Sequence, residues 1–362
     1  MGNGNLKGGI HVQLEKGIYK GGEQVTGTVF LQLQEPSPSG AIVLGFQGTE
    51  YTRWKERRTR GTGKNRRTYY VTRSAKAVLC NYRFTLYQFP GEVPPQGITI
   101  PFSFVLPQNL PGSFNLSYFN TRAEISYSVS AEFTNIEQKG ISNFSRLKLY
   151  QEIQSLGQAE SVSKSAKLLT WCCLNKGTCS IRADYPQSSY TPAETAAVNV
   201  TLDNSESKIA VNSISMKLFK TIRLLAHPGS KVVSYCIVEA SGQGTEAGTE
   251  NPKSLTTQLF LNLSSVANQF DDQYTTHGNL ISCEYTLEVS GDMDGCCMCC
   301  GDVPRVQKRV IILPQYMPPP PLPPPPPGWN PQYMNQVAFT YPQEYQPQVQ
   351  NFEDQEDDNP NF

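Results

Sequence analysis

The chain has 362 residues, with 31 Lys and Arg against 31 Asp and Glu, and 38% of it is hydrophobic. That length allows two or three domains with real cores, and the even charge excludes a global preference for nucleic acid or for a membrane surface. No run approaches the ~18 apolar residues needed to cross a bilayer, and "MGNGNLKGG" is not a signal peptide, so the ten cysteines are expected in a reducing compartment without a disulfide framework. The four N-x-S/T sequons at Asn115, Asn143, Asn199 and Asn262 are then expected to stay unmodified, and Leu6 stands where a myristoylation motif wants Ser or Thr.

Helical periodicity is nearly absent. From the N-terminus the chain alternates in short strands broken by Gly, Pro, Asn and Asp, beginning with "QVTGTVFLQLQ" (24–34) and "AIVLGFQG" (41–48). Branched and aromatic residues at every second place fit a pleated sheet with one buried face. Next comes "RWKERRTRGTGKNRRTYYVTRSAK" (53–76), read as a long hairpin with a charged end and a tip at Gly61 and Gly63. Arg53, Lys55, Arg57, Arg58, Arg60, Lys64, Arg66 and Arg67 are its candidate anion-binding residues, backed by Arg73 and Lys76 and faced by one Glu. Several cations converging on one anion hold it far better than single surface pairs do. The anion would be a phosphorylated cargo tail, a phosphoinositide headgroup or the chain's own acidic tail; a solvated loop is the plain alternative, and RNA stacking on Tyr69 and Tyr70 is the least favoured.

The strands continue with "ITIPFSFVLPQNLPGSF" (98–114) and "AEISYSVSAEF" (123–133), then "AAVNVTLDN" (196–204) and "CEYTLEVSG" (283–291). Two pieces recur. "YKGGEQVTGTVFLQL" from Tyr19 and "YTPAETAAVNVTL" from Tyr190 share Tyr, a turn pair and Glu at the fifth place; "YSVSAEF" at Tyr127 and "YTLEVSG" at Tyr285 follow in the same order. A repeat of this length implies two similar units in tandem. The reading is all-β: two immunoglobulin-like β-sandwiches, 1–154 and 167–313, joined by a hinge at 155–166, with a disordered Pro-rich acidic tail at 314–362.

That tail has no Lys or Arg, six acidic residues and 14 of the 27 prolines, so residues 1–313 carry about +6 against its −6. "PPPPLPPPPPGW" (318–329) favours polyproline II, the shape that SH3, WW and profilin-like domains read. "LPQY" places Leu313, Pro314 and Tyr316 as a WW-ligand candidate, and "NPQY" places Asn330, Pro331 and Tyr333 in a turn that presents Tyr to endocytic adaptor domains. No catalytic set emerges: His11, His227 and His277 are isolated, and no phosphate-binding Gly loop or nucleophile elbow is present. A non-enzymatic protein without a cofactor is expected.

Seven cysteines cluster: Cys172, Cys173 and Cys179 around "LNKG", and Cys296, Cys297, Cys299 and Cys300 in "DGCCMCCGD". Both read as hairpin tips. Acylation, a zinc site built on a C-x-x-C half, and free thiols in loops remain open. Cys80, Cys236 and Cys283 fall in strand patterns and are expected to be buried.

The pieces "IYKGGEQVTGTVFLQLQEP", "GTEYTRWKERRTRG", "NYRFTLY", "PFSFVLPQNLPGSF", "ISYSVSAEF", "WCCLNKGTCSIRADYPQSSYTPAE" and "ISCEYTLEVSGDMDG", in this order and spacing over residues 9–313, resemble the arrestin fold, and the α-arrestin (arrestin-domain-containing) family in particular. The resemblance implies a cytoplasmic trafficking adaptor, peripheral to the plasma membrane or endosomes, with membrane cargo as partner and no nucleic acid. It places the 53–76 hairpin where arrestins engage receptors, and the two cysteine clusters side by side at the far edge of the second sandwich. α-Arrestins commonly carry P-P-x-Y motifs that recruit WW domains of ubiquitin ligases; here only L-P-Q-Y stands in that place. A Pro-rich scaffold serving SH3 or actin partners is the alternative.

Overall fold

The computed structural model describes residues 6–135, 140–152, 159–170, 174–250, 257–293, 302–315, 321, 324, 327, 329–340, 348–351 and 356–357. The first sandwich begins with β1 (Gly8–Leu14), β2 (Ile18–Lys20), β3 (Gln24–Leu33), β4 (Gly40–Arg60) and β5 (Arg67–Gln88), and continues with β6 (Gly97–Val105), β7 (Phe114–Tyr118), β8 (Thr121–Asn135) and β9 (Ile141–Tyr150). One sheet runs β1-β3-β6, the other β2-β9-β8-β4-β5, with β7 on β8. Burial follows the alternation of the sequence. Val25, Val29, Leu31 and Leu33 of β3 share one buried core with Ile42, Leu44 and Phe46 of β4 and Val129, Ala131 and Phe133 of β8.

The second sandwich holds β10 (Glu160–Thr170), β11 (Leu174–Tyr185), β12 (Ser189–Tyr190), β13 (Thr195–Asp203), β14 (Val211–Ala226) and β15 (Gly229–Thr245). It is completed by β16 (Thr257–Asn262), β17 (Thr276–His277), β18 (Ile281–Asp292) and β19 (Arg305–Ile312). Its sheets run β10-β11-β13-β16 and β12-β19-β18-β14-β15, with β17 on β18.

The repeated sequence pieces do repeated work. Tyr19 and Tyr190 are both buried on short strands, β2 and β12, that pair in parallel with β9 and β19. Glu23 accepts the N–H of Lys20 at 3.0 Å, and Glu194 accepts that of Thr191 at 2.5 Å, so the Glu four residues after each Tyr closes the same turn. Tyr127 donates its hydroxyl to the Pro111 carbonyl at 2.8 Å, and Tyr285 donates to that of Gln273. Each buried phenol pins a loop to its sheet.

Two expectations are corrected. The segment 155–166 is not all hinge: β10 pairs with β11 from Glu160 onward, so 160–166 belongs to the second sandwich. "LNKG" is not a turn but the start of β11, opposite Leu169 and Thr170. Four short pieces of the tail return to the first sandwich. β20 (Gln332–Tyr333) and β21 (Val337–Phe339) pair in parallel with β6, and β22 (Gln348–Asn351) and β23 (Glu356–Asp357) pair antiparallel with β5.

The two sandwiches share a polar interface. Glu50 of β4, fully buried, accepts the backbone N–H of Asn279, Leu280 and Ile281 at 2.9, 2.8 and 2.6 Å. Lys148 pairs with Asp272, whose carbonyl accepts the Asn115 N–H at 2.7 Å. Thr276 donates to the Gly112 carbonyl at 3.1 Å, and Thr52 to the Leu225 carbonyl at 2.7 Å.

Candidate functional site

β4 and β5 stay paired from Ala41 and Gln88 out to Arg60 and Arg67. β8 leaves β4 at the Trp54–Thr121 pair, so residues 55–72 project as a ribbon of β4 and β5, joined at its base by β23 on Tyr70 and Val71. Its tip is a short 3-10 turn, Gly63–Asn65. Gly61 enters it at φ +89°, where a Cβ would lie 2.5 Å from the Asn65 carbonyl oxygen, so glycine is required there.

Pleating sorts the charges into two faces. One carries Glu56, Arg58, Arg60, Arg67, Tyr69 and Arg73, because Glu56 pairs with Val71, Arg58 with Tyr69 and Arg60 with Arg67. On that face Glu56 accepts from Arg58 Nε at 3.2 Å and from Arg73 Nε at 3.2 Å, and the Arg58 guanidinium, with Arg73 behind it, holds the Glu56 carboxyl below its ordinary range. Arg73 is 3% exposed and lies under Gly229 of the neighbouring β14–β15 hairpin. It is structural, not a solvent cation. The other face carries Arg53, Lys55 and Arg57 opposite Ser74, Thr72 and Tyr70. Arg53, Arg57, Arg60, Lys64, Arg66 and Arg67 are exposed and form no ion pair among the described side chains, and β23 sets the backbone of the acidic Glu356 and Asp357 beside Val71 and Tyr70 of the ribbon. Like charges gathered at an exposed end concentrate a positive potential there.

The tail motifs are placed unequally. Leu313 is half-buried and its N–H bonds the Tyr190 carbonyl at 2.9 Å, so the L-P-Q-Y motif starts inside the second sandwich; Pro314 follows half-buried, and Tyr316 lies outside the described residues. Asn330 is exposed and Pro331 half-buried, and Tyr333 is 77% exposed although its backbone pairs with Thr99.

Family models describe the same two units. The arrestin (or S-antigen) N-terminal domain matches residues 9–151, and the arrestin (or S-antigen) C-terminal domain matches residues 175–316. The chain belongs to the arrestin family. It is similar to "Arrestin domain-containing protein A" of Dictyostelium discoideum, 25% identical over 226 residues, and to "Arrestin domain-containing protein 17" of Caenorhabditis elegans, 24% identical over 215. Those matches cover 60% and 54% of this chain but 37% and 47% of the relatives. The likeness is to arrestins of the α-arrestin type.

The cysteine expectation is corrected in part. In this arrestin Cys179 is fully buried in β11 opposite Ala166, and burial pushes its thiol up to about 12. A thiol with no solvent exposure is closed to an acyl donor while β11 stays paired. Cys172, Cys173, Cys296, Cys297, Cys299 and Cys300 lie outside the described residues. Among the described residues no three His, Cys, Asp or Glu side chains are set to hold a metal. Cys80 and Cys283 are buried as expected, whereas Cys236 is exposed because β15 is the edge of its sheet.

Sequence reading missed the polar contacts that join the two arrestin domains. Glu50 and Lys148 sit among alternating strand residues like any surface charge, and their partners are about 230 and 124 positions away. One clue was present: Glu50 occupies a core-facing place in β4, in phase with Phe46 and Trp54.

Proposed function

We propose that this chain is a non-enzymatic adaptor of the α-arrestin type that works at the cytoplasmic face of the plasma membrane or endosomes. Its β4–β5 ribbon engages anionic cargo or lipid, and its tail recruits endocytic or ubiquitylation machinery. The observation that carries this reading is the ribbon itself: Arg53, Arg57, Arg60, Lys64, Arg66 and Arg67 project from a β scaffold and form no ion pair among the described side chains. Such a cluster holds a multiply charged phosphate more firmly than a single charge, by charge-assisted hydrogen bonds from several guanidinium groups. Membrane surfaces rich in anionic lipid would gain about 1 kcal/mol for each Lys or Arg brought near them. The named relatives support the family, and the reading of the ribbon as its working surface rests on charge and geometry.

The test is charge reversal at Arg57, Arg60, Arg66 and Arg67, all exposed and none of them bonded to Glu56. Binding to vesicles containing phosphoinositide and to immobilised phosphopeptides is measured with the folded variant. A loss of tenfold or more with an unchanged unfolding midpoint is expected. Undiminished binding to both would leave the ribbon as solvated surface. For the tail, replacement of Tyr333 or Tyr316 by Ala in the full chain should each reduce capture of a different partner class, endocytic adaptors for the first and WW-domain ligases for the second.

A further inference from the structure

The two sandwiches repeat one strand order, so β15 stands at the edge of its sheet where β5 stands in the first sandwich. An edge strand offers unpaired N–H and C=O groups to another strand, and β5 accepts two, β22 and β23. β15 has none on its outer side among the described residues. A β-bulge divides it. Val238 pairs with Leu218 and Cys236 with Phe219, which leaves Ile237 as the extra residue, buried at 8% exposure. Beyond the bulge the edge is closed: Val238 and Ala240 pack on the core, and a Cβ on Gly242 would come within 2.6 Å of the Leu259 side chain of β16. Before the bulge it is open. A bulge bends its strand and increases the twist, and Val232 to Cys236 are five exposed residues in a row.

Natural sheets blunt an exposed edge with Lys or Pro. Val232, Val233, Ser234, Tyr235 and Cys236 include neither. Val232 is 55% exposed, and Val233 and Tyr235 are 37% exposed. Register fixes what each one faces. Lys231, Val233 and Tyr235 lie opposite Leu224, Ile222 and Lys220, three buried residues, so their side chains are on the core side of the sheet. Val232 lies opposite the exposed Arg223, on the outer side. The Lys220 ammonium, bonded to the Gln269 carbonyl at 2.6 Å, lies 5.9 Å from the centre of the Tyr235 ring and backs it. Lys231 donates to the Thr121 hydroxyl of the first sandwich at 2.7 Å and forms no ion pair among the described side chains. A strand added here therefore meets a cation, a valine and a tyrosine at alternate places on one face. Opposite charges and pairs of aromatic and β-branched side chains are the favourable cross-strand partners for these.

We propose that the open half of β15, Lys231 to Cys236, is a strand-addition site for an extended segment of another protein, with an acidic residue of that segment opposite Lys231 and β-branched or aromatic residues opposite Val233 and Tyr235. Charge selects this occupant. Lys231 and Arg223 carry no counter-charge among the described side chains, and the turn at Gly229 rests on Arg73 at the base of the ribbon, so this end of the strand is positive. A second copy of β15 offers no acid between Ser230 and Cys236, so self-pairing would leave Lys231 unmatched. The added backbone supplies the hold, and the alternate side chains supply the selection. The bulge at Ile237 sets where in-register pairing stops. Only the identification of the segment as cargo rests on the proposed role of the ribbon; the site does not.

The test uses the full chain and two fluorescent synthetic peptides, one a glutamate followed by alternating threonine and valine, the other with lysine in place of the glutamate. Each is made in both sequence directions, because an edge accepts parallel and antiparallel strands. Wild type should bind the glutamate peptide at least tenfold more tightly than the lysine peptide in one direction, and binding should slow hydrogen exchange at residues 230–236 but not at 238–245. Lys231→Glu should invert the preference. Val232→Lys, a change at an exposed position, should weaken the glutamate peptide at least tenfold with an unchanged unfolding midpoint, and Val232→Thr should keep the binding. Equal binding of both peptides by wild type, protection elsewhere than on β15, or full binding by Val232→Lys would overturn the site. Dimerisation in sedimentation that Val232→Lys abolishes would assign the edge to a second copy and overturn the proposed occupant. The chain reversed to Glu at Arg57, Arg60, Arg66 and Arg67 should bind the glutamate peptide as wild type does. Its failure on vesicles and phosphopeptides then bears on the ribbon alone. Loss of the peptide in that chain would mean that the ribbon captures the acid, and the β15 site would fall.

Discussion

Glu50 of the first sandwich and Leu280 of the second meet in a hydrogen bond of 2.8 Å from the Leu280 N–H to a carboxylate that has no solvent exposure. Asn279 and Ile281 donate to the same carboxylate, so three consecutive backbone N–H groups close around one side chain. Gly278 makes this possible: a Cβ there would lie 2.4 Å from Glu50 Oε1. Gly278→Ala should push the carboxylate out of its cradle and leave buried donors without an acceptor, a cost of about 2–3 kcal/mol. Urea unfolding followed by Trp54 fluorescence and by circular dichroism checks it. The variant should unfold at a lower midpoint, and the two signals, superimposed in wild type, should separate as the sandwiches lose their coupling.

The same residue gives a pH signature. Burial raises the Glu50 carboxyl above its ordinary 4.5, and the three N–H groups only partly oppose this. The folded chain therefore keeps the proton to a higher pH than the unfolded chain does. Between those two values the folded state binds more protons, so this group's share of stability is greatest in acid, declines as pH rises through the window, and is level above it. Glu50→Gln removes the titration. The stability of wild type relative to the Gln variant should decline with rising pH across the weakly acid range, measured as paired denaturation midpoints. A difference that increased with pH would show that the N–H cradle outweighs burial.

Tyr127 and Tyr285 were legible as a pair from the sequence echo, and they perform the same task in the two sandwiches. Tyr127 also fills the space left by Gly48, where a Cβ would come within 2.5 Å of its ring. Tyr127→Phe and Tyr285→Phe should each cost about 1 kcal/mol, the net worth of one buried hydrogen bond plus a carbonyl left without its donor. Gly48→Ala should cost more, because two packed elements, the Tyr127 ring and Cys80 Sγ at 2.8 Å, have to move. Thermal unfolding of the three variants orders them.

How far the sequence could be read follows from the range of each signal. Period-two burial is local, so β3, β4, β8 and β18 stood out from their own residues. The projecting basic hairpin was equally visible, since ten cations in 24 residues with Gly61 and Gly63 between them leave few alternatives. That Arg58 and Arg73 bond Glu56 while Arg57 does not was not visible, because they differ from Arg57 only in phase with Glu56. Within the tail, one anchor was out of reach of composition. A segment dominated by Pro, Gln and Asn has the composition of a disordered chain, yet Phe339 is in the core, because the slot between Phe84 and Phe104 is made by strands more than 200 residues earlier in the chain.

Thiol reactivity should divide the described cysteines by edge and interior. Burial pushes Cys80 above its ordinary range, and Cys179 and Cys283 up to about 12, while Cys236 lies exposed on the edge strand β15. Alkylation of the native protein at neutral pH, read by peptide mass spectrometry, should modify Cys236 well before the other three. All four should react at similar rates once the chain is unfolded, since the thiolate fraction and access are then the same for each. Native alkylation of Cys179 at the rate of Cys236 would mean that β11 opens readily at that point and would restore Cys179 as a modification candidate.

The ribbon supplies a contrast between two arginines of one cluster. Arg73 is buried, bonds Glu56 and supports Gly229 at the turn of the β14–β15 hairpin, whose Lys231 reaches Thr121 at 2.7 Å. Arg57 is exposed on the opposite face and forms no ion pair among the described side chains. Arg73→Ala should therefore lower stability by about 1–3 kcal/mol, through lost packing of the long side chain as well as the lost bond to Glu56. Arg57→Ala should leave stability within about 0.5 kcal/mol of wild type and weaken anion binding. Because Glu56 is partly exposed, the ion pair is the smaller part of the Arg73 effect, and Glu56→Gln should cost clearly less than Arg73→Ala. Denaturant midpoints and vesicle binding, measured on the same three variants, separate the arginine that builds the ribbon from the one that it presents.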